Sequence, residues 1–383
     1  MGRLFMKKYL YSGALALATI LTLSACAKPK LDAKLSVNDV VQMSGSNLKL
    51  KDNQSLIEVS FKLENTSEDM EKDLKTSAKQ FYLKDKDGKK VTASKLDKSD
   101  LPSLFKKNKD VKDATDDFGK VESDDYKSAS LFFEVKNNQT YKLYFESKDE
   151  KTEGETVSTD LKGFDGNATT NVKKAVDAYF SAVLLGGESK DYSKFVSNDL
   201  DKSKGELSQY FSDHLQYSYE GTGNIKPTGD EVPKVFDWVQ TANRERGHYT
   251  VDNIIVTKDK AEFNLDLSTI SMKEADDAYV ASHPNLTDEL KNYLQGKGAN
   301  ADNVDQLTKQ YYMETYLPNS IKEVNPSTPK TEGTNVFDGY SVELTKKDDK
   351  WTFPDKENYV GNWEHYPLFY AYTGQQGTLT SYR

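Results

Sequence analysis

Cysteine is the scarcest residue of this chain, because Cys26 is the single example among 383 residues. A disulfide needs two cysteines, so one copy of the chain cannot form one even in an oxidising compartment. We therefore expect its folds to be held by buried apolar surface alone.

Arginine is also rare, and the lysine-rich chain contains just Arg3, Arg244, Arg246 and Arg383. The bidentate fork with which arginine holds phosphate groups is thus nearly absent. The formal net charge is -9 at pH 7 and the pI is ≈ 5.2, whereas nucleic-acid binding needs clustered positive charge. These features exclude nucleic acid as an expected partner.

Motifs of known chemistry are missing as well. The sequence has no HExxH helix, no paired-histidine metal spacing, no glycine-rich phosphate loop and no GxSxG elbow. We predict a protein without catalysis, cofactor or metal. An enzyme remains the alternative, because a hydrolase that uses two carboxylates leaves no spacing signature in an acidic chain.

What the chain does contain is a strong N-terminal block. Two lysines precede an apolar run, 10–23, that ends in the motif Leu-Ser-Ala-Cys. This order predicts a lipoprotein signal peptide over residues 1–25, cleaved between Ala25 and Cys26. The run is short for a membrane span of about 20 apolar residues, which favours cleavage over the alternative of an uncleaved anchor.

Cleavage would make Cys26 the first residue of the mature protein, with a thioether-linked diacylglycerol on its sulfur. Two acyl chains hold a protein durably on a bilayer. The sequence therefore predicts a lipid anchor on the extracytoplasmic face of the cell membrane, with the membrane as one partner. A disulfide-free, lysine-rich composition is what we expect at a Gram-positive cell surface.

The mature chain is long enough for two domains, because about 350 residues exceed what one hydrophobic core usually serves. A polar, glycine-bearing stretch over 152–168 marks the boundary. We predict a tether over residues 26–34, a first domain over 35–160 and a second domain over 167–383.

The first domain has the period of half-buried strands. Apolar and polar residues alternate over 57–64, 131–135 and 141–145, with turn residues between them. The pattern predicts hairpins at 81–91 and 131–145 and a mainly β, immunoglobulin-like sandwich. The aspartates at 85 and 87 are an alternative calcium site, but no closing glutamate follows them, and we favour a turn. The aspartates in the charged stretch 95–127 could also bind calcium, but such a stretch is more typical of a solvated loop, which we favour.

The second domain begins with a helical pattern. Apolar residues from Val172 to Leu184 recur at spacings of three and four, with Thr170 as the predicted cap and Gly186 in the stop. Further helical patterns lie at 207–215, 235–242, 272–295 and 301–324, and strand patterns at 248–256, 261–270, 340–344 and 351–353. This order predicts an α+β domain whose helices pack on an antiparallel sheet.

The strand motifs of the first domain resemble a known family. They are Leu63-Glu64-Asn65-Thr66-Ser67 at a strand end, Phe81-Tyr82-Leu83 before the turn, and the strands at 131–135 and 141–145. Together they are similar to the telokin-like, immunoglobulin-fold domain of unknown function that is common in Gram-positive lipoproteins. The resemblance covers about residues 35–160.

The second domain resembles a cystatin-like, or nuclear-transport-factor-two-like, cone. The resemblance rests on the opening helix, the antiparallel hairpins and the late strand entered by Asp349-Lys350-Trp351. This part is also similar to an uncharacterised C-terminal lipoprotein domain seen beside telokin-like domains. The resemblance implies a pocket between helices and sheet, in which some families place acid–base groups, although a fold does not by itself carry that function.

Candidate pocket residues are His214, Tyr179 and His248. His214 shares the apolar stripe of its helix, which favours a hydrogen-bonded core histidine over a general base. Asp177 lies off the apolar face of its helix, and we expect it in solvent.

A dense aromatic segment lies near the C terminus, with candidate contact residues Tyr359, Trp363, Tyr366 and Tyr370. Clustered aromatic side chains are more often buried than exposed. Packing is the favoured interpretation, and a stacking platform for sugar or peptide is the alternative.

These features predict a membrane-anchored lipoprotein without catalysis, whose first domain spaces a pocket-bearing second domain from the bilayer. Its expected partners are the membrane and an unknown protein or small-molecule ligand. The alternative is an enzyme or a ligand-sensing accessory that uses the pocket of the second domain.

Overall fold

The computed structural model describes residues 31–373, apart from 70–71, 97–100, 102–111, 113, 151, 163, 219–226, 329, 332–333, 336–339, 358–367 and 369. The predicted signal peptide, its cleavage residues Ala25 and Cys26, and the aromatic residues Tyr359, Trp363 and Tyr366 lie outside the described residues. Among the helices of the described ranges, none has the length and apolar character needed to cross a bilayer.

The first part of the chain consists of strands. They are β1 (Ala33–Ser44), β2 (Gln54–Asn65), β3 (Leu74–Ser77), β4 (Phe81–Asp85), β5 (Lys90–Thr92), β6 (Asp117–Val121), β7 (Tyr126–Lys136), β8 (Tyr141–Glu146) and β9 (Thr156–Asp160). Short 3-10 turns at Ser46–Leu48 and Ala78–Gln80 follow β1 and β3.

The second part mixes helices and strands. The helices are α1 (Ala168–Tyr179), α2 (Tyr192–Phe195), α3 (Leu200–Ser218), α4 (Glu231–Arg246), α5 (Met272–Ser282), α6 (Leu286–Gly296), α7 (Val304–Tyr311), α8 (Leu317–Glu323) and α9 (Tyr370–Thr373). The strands are β10 (His248–Val256), β11 (Lys260–Ser268), β12 (Lys330–Thr331), β13 (Thr334–Asn335), β14 (Tyr340–Lys347) and β15 (Lys350–Thr352).

One antiparallel sheet runs through both parts, in the strand order β15-β14-β11-β10-β1-β2-β7. The connection is the pairing of β1 with β10, which places Gln42 opposite Val256, Met43 opposite Ile255 and Ser44 opposite Ile254. The sheet therefore joins strands that lie on either side of the domain boundary predicted from the sequence.

A second sheet, β5-β4-β8-β9, packs against β1, β2 and β7 and closes the β-rich first part. Phe61 of β2 meets Phe81 of β4 with ring centroids 4.4 Å apart, and Phe81 meets Phe145 of β8 at 5.0 Å. The predicted hairpin of β4 and β5 is confirmed. The predicted hairpin of β7 and β8 is wrong, because β7 pairs with β2 while β8 pairs with β4 and β9 in the other sheet.

Helix α1 packs its apolar stripe on the second half of the long sheet, and Val172, Ala175 and Val176 share one core with Phe263 and Leu265. The helix begins at Ala168, before the predicted cap at Thr170, and a π-helical turn at Phe180–Leu184 extends it to the predicted stop. The predicted fold class, a β-rich first part and an α+β second part, is confirmed.

Candidate functional site

The three predicted pocket residues lie on three different elements. His214 is half-buried on α3, where its ring stacks on Tyr210 at 3.7 Å and its Nδ1 donates to the Tyr210 carbonyl oxygen at 2.9 Å. His248 is exposed at the start of β10, and Tyr179 is 8% exposed at the end of α1. Of the three residues, Tyr179 is the one that is buried next to other polar side chains.

Tyr179 belongs to a group that we call the tyrosine cluster: the buried Tyr179, Tyr192, Ser203 and Phe353 and the half-buried Glu206. The Tyr179 ring stacks on Phe353 with centroids 3.9 Å apart and an interplanar angle of 10°. Tyr192 of α2 lies 6.4 Å from Tyr179, also stacked. Ser203 and Glu206 approach from the first turns of α3. The three aromatic rings thus pack together, and the side chains of Ser203 and Glu206 lie beside them.

Burial sets the charge states in this cluster. It raises the pKa of Tyr179 above the ordinary value and the pKa of Tyr192 to about 12, although Ser203 acts in the opposite direction on both hydroxyls. Burial also raises the pKa of the Glu206 carboxyl; Lys202 opposes this shift and Asp355 adds to it. The two hydroxyls are therefore neutral at physiological pH.

The other predicted polar residue on α1, Asp177, is exposed as expected. Its carboxylate accepts a hydrogen bond of 2.9 Å from the hydroxyl of Tyr249 on β10. Tyr249 in turn has a raised pKa, chiefly because it is buried. This contact ties α1 to the sheet below it.

A second candidate region, the junction cleft, lies where the two parts of the chain meet. Its polar lining consists of Gln42 on β1, Asp165 before α1, Thr257 and Lys258 after β10, and Lys346 on β14; its apolar lining is Val40, Phe164, Ala168, Val256 and Trp351. The cleft has a volume of ≈ 30 Å³, which is about the share of one water molecule in the liquid. It therefore admits a small group.

Buried polar side chains lead from this cleft into the junction. Gln42 is 3% exposed, and its Nε2 donates to the Ser55 hydroxyl at 3.0 Å. The Ser55 hydroxyl donates to Oδ1 of Asn137 at 2.7 Å and lies 3.4 Å from the Thr169 hydroxyl. Within the described residues, the Oε1 atom of Gln42 has no hydrogen-bond partner.

Acidic side chains of the described ranges form no group of three or more that could hold a metal ion, alone or with histidine or cysteine. At the predicted turn after β4, Asp85 Oδ1 accepts the backbone N–H groups of Asp87 at 3.0 Å and Lys89 at 2.8 Å. These bonds give Asp85 the role of a turn residue.

Of the aromatic C-terminal segment, α9 is described. The backbone of this helix includes Tyr370. The side chain of Tyr372 in the same helix is fully buried, and its ring contacts Phe236 edge-on with centroids 5.7 Å apart. This part of the segment packs into the core of the second part.

Residues 165–362, more than half of the chain, match the model of a domain of unknown function, DUF5105. This chain belongs to the DUF5105 family. The tyrosine cluster lies wholly within the matched range, whereas the junction cleft of this DUF5105 protein also uses β1 of the preceding part.

One solved structure shows the same overall fold. The crystal structure of ycdA from Bacillus subtilis, a predicted lipoprotein, matches with a TM-score of 0.51 at 17% identity, over 90% of this chain and 98% of ycdA. The yjhA protein of the same organism covers 35% of this chain and 94% of its own, at 16% identity, but its TM-score of 0.23 is too low to carry an argument. No curated protein matches the sequence.

Proposed function

We propose that this chain is a lipid-anchored, extracytoplasmic binding protein that presents its second part at a fixed distance from the membrane. The observation that carries the proposal is β1, whose first residue lies a few positions after Cys26 and whose last residues pair with the sheet of the second part. The fold shared with ycdA, itself a predicted lipoprotein, supports the proposal.

The tether between lipid and fold is short. Leu31 is 5% exposed in the core of the first part, and the carbonyl of Asp32 accepts the backbone N–H of Thr66 at 3.0 Å. The chain from Cys26 to Leu31 therefore reaches at most about 18 Å, because an extended residue spans about 3.3–3.6 Å. A lipid on Cys26 would hold this end of the sandwich beside the headgroups.

Strand β1 then acts as a spacer. Its 12 residues extend about 40 Å at about 3.3 Å per residue. Because its far end is hydrogen-bonded to β10, the second part would stand away from the bilayer on a continuous sheet.

The proposal includes the finer domain assignments. We assign the first part to the telokin-like, immunoglobulin-fold class, supported by its two sheets packed around Phe61, Phe81 and Phe145. We assign the second part to the nuclear-transport-factor-two-like class, supported by α1 packed across an antiparallel sheet.

The lipid anchor is tested by labelling. Cells of a Gram-positive host express the full chain or its Cys26→Ala variant with a clickable palmitate analogue in the medium. We expect label on the wild-type chain, a mature N terminus at residue 26, and cleavage by protease added to intact protoplasts. Label should be absent from Cys26→Ala, while Ser12→Ala in the same leader keeps it. A wild-type chain that recovers no label contradicts the proposal.

An enzyme is the second candidate function, and one observation favours it: the Glu206 carboxyl, with its raised pKa, lies near the buried hydroxyl of Tyr179. Such a carboxyl is suited to general acid chemistry. A screen against glycans, peptides and esters distinguishes the two functions, because turnover that disappears in Glu206→Gln would establish an enzyme.

A further inference from the structure

We infer that Leu368 and α9 form a displaceable plug, and that the pocket they fill among α3, α4 and α5 binds a small aromatic carboxylate. The inference names a site and a ligand class for the proposed binding role, on which it rests in that sense alone. It is independent of the lipid anchor, because its test uses the mature chain without lipid.

Apolar side chains hold the plug in place. Leu368 is 4% exposed, and Ala371 and Tyr372 are fully buried. The Tyr372 ring contacts Phe236 of α4, and α9 lies against α3 and α5. A helix of four residues has no stability of its own, so the burial of these side chains is what keeps α9 in position. A ligand ring of similar size can therefore take the place of the Tyr372 ring.

The plug lies outside the family domain that it fills. The match to the DUF5105 model ends at residue 362, whereas the plug begins at Leu368. The three helices around Tyr372 all lie within the matched range. The walls of the pocket thus belong to the family domain, and a segment beyond the matched range occupies it.

The polar end of Tyr372 is poorly matched to its surroundings. Its hydroxyl is buried, and within the described residues it has no hydrogen-bond partner. Burial raises the pKa of this hydroxyl, although the nearby Gln240 amide and the charge of Arg244 act in the opposite direction. A buried hydroxyl without a partner costs stability. This cost weakens the docking of the plug and favours a ligand with a better-matched polar group.

Arg244 indicates which polar group would match. Phe236, Gln240 and Arg244 follow one another at intervals of four residues on α4, so they share one face of the helix. The Arg244 guanidinium donates to the Gly186 carbonyl oxygen and to the Thr241 hydroxyl, both at 3.0 Å. Both partners are neutral, and arginine is best suited to a carboxylate. An aromatic ring beside Phe236 with a carboxylate towards Arg244 fits this face.

The test is titration calorimetry on residues 27–383 with two compounds. The first, 4-methylphenol, reproduces the tyrosine side chain, and the second, 4-methylbenzoate, has a carboxylate in place of the hydroxyl. We expect 4-methylbenzoate to bind at least about tenfold more tightly, since a hydrogen bond between charged groups is at stake. Arg244→Gln should remove this difference.

Hydrogen exchange on the wild-type chain shows whether the ligand replaces the plug. Saturation with 4-methylbenzoate should make the backbone amides of α9 exchange faster, because the helix leaves its pocket, while the amides of α4 stay protected. A ligand that bound elsewhere on the surface would leave the exchange of α9 unchanged. Unchanged or slower exchange of α9 in the saturated chain therefore overturns the inference.

A matched pair of leucine variants separates a plug from an ordinary part of the core. Leu368→Ala loosens the plug and should tighten the binding of 4-methylbenzoate about tenfold, because more of the chain is in the open form. Leu131→Ala truncates an equally buried leucine of the first part and should leave the affinity unchanged. Equal affinities for the two compounds overturn the inference. So does the absence of 4-methylbenzoate binding at millimolar concentration, whereas the lipid label is measured separately from all these results.

Discussion

Burial governs the charge of the side chains around Tyr179. Glu206 is half-buried beside this ring, and its carboxyl has a raised pKa because the folded state removes it from water. Lys202 is four residues earlier on α3, but its ammonium also pairs with Glu357 at 2.8 Å. The cation is therefore shared, and it does not offset the cost of burying Glu206.

The pH dependence of stability follows from this shift. A carboxyl whose pKa is higher in the folded state binds its proton more tightly there, so the free energy of unfolding falls as pH rises from the ordinary glutamate value through the folded value. Glu206→Gln replaces the carboxyl with a permanently neutral amide. We expect this variant to be more stable than the wild type at about pH 7, with the difference shrinking towards about pH 4.

Urea denaturation of both proteins at the two pH values measures this difference. Glu188→Gln, which neutralises an exposed glutamate, is the matched control and should show no such trend. A difference between Glu206→Gln and the wild type that stays constant with pH would count against burial as the cause.

Among the elements, local periodicity predicted those that bury one face. The alternation of β2, β8 and β11 and the stripe of α1 are visible in the sequence because one side of each packs and the other meets water. Strand β1 was not predicted. Its register shifts at a bulge between Val37 and Asp39, which breaks the alternation, and its pairing with β10 joins residues far apart in sequence.

The same contrast between local patterns and long-range contacts explains which candidate site residues could be predicted from the sequence. Tyr179 could be named because it lies on a helix with a clear pattern. Gln42, Lys258 and Lys346 could not, because each is an ordinary polar residue in its own segment, and the junction cleft forms when β1, the turn after β10 and the end of β14 come together. A long-range contact of this kind has no local signature.

Two glycines, Gly186 after the end of α1 and Gly205 within α3, offer a matched pair of substitutions. Gly186 has a φ of +63°, and a Cβ there would clash with the amide oxygen of Gln240. The Nε2 of the same amide donates to the Val183 carbonyl oxygen at 3.3 Å. Gly205 is exposed within α3 with open space around it. We expect Gly186→Ala to destabilise the protein by about 1–3 kcal/mol and Gly205→Ala to stabilise it by about 0.5–1 kcal/mol. Chemical denaturation of both variants checks the opposite signs, and equal signs would be inconsistent with this account.

The shared sheet couples the two parts of the molecule. Besides the β1–β10 ladder, Met43 and Leu56 of the first part pack with Ile255 of the second in a small cluster on the other face of the sheet. Separating the parts would expose these side chains and the polar network of Gln42, Ser55 and Thr169. The molecule should therefore unfold as a unit, although the sequence predicts two domains.

The tryptophans make this testable, because Trp238, Trp351 and Trp363 all belong to the second part. Leu131→Ala alters a fully buried residue of β7 in the core of the first part, which should cost about 2–5 kcal/mol. If the parts unfold together, the thermal transition seen by tryptophan fluorescence should shift down with the one seen by far-UV circular dichroism. Lys136→Ala, at the exposed end of the same strand, should leave both in place. A tryptophan transition that stays at the wild-type temperature while the dichroism shows an earlier phase would show that the two parts fold independently and that the sheet is a contact between domains.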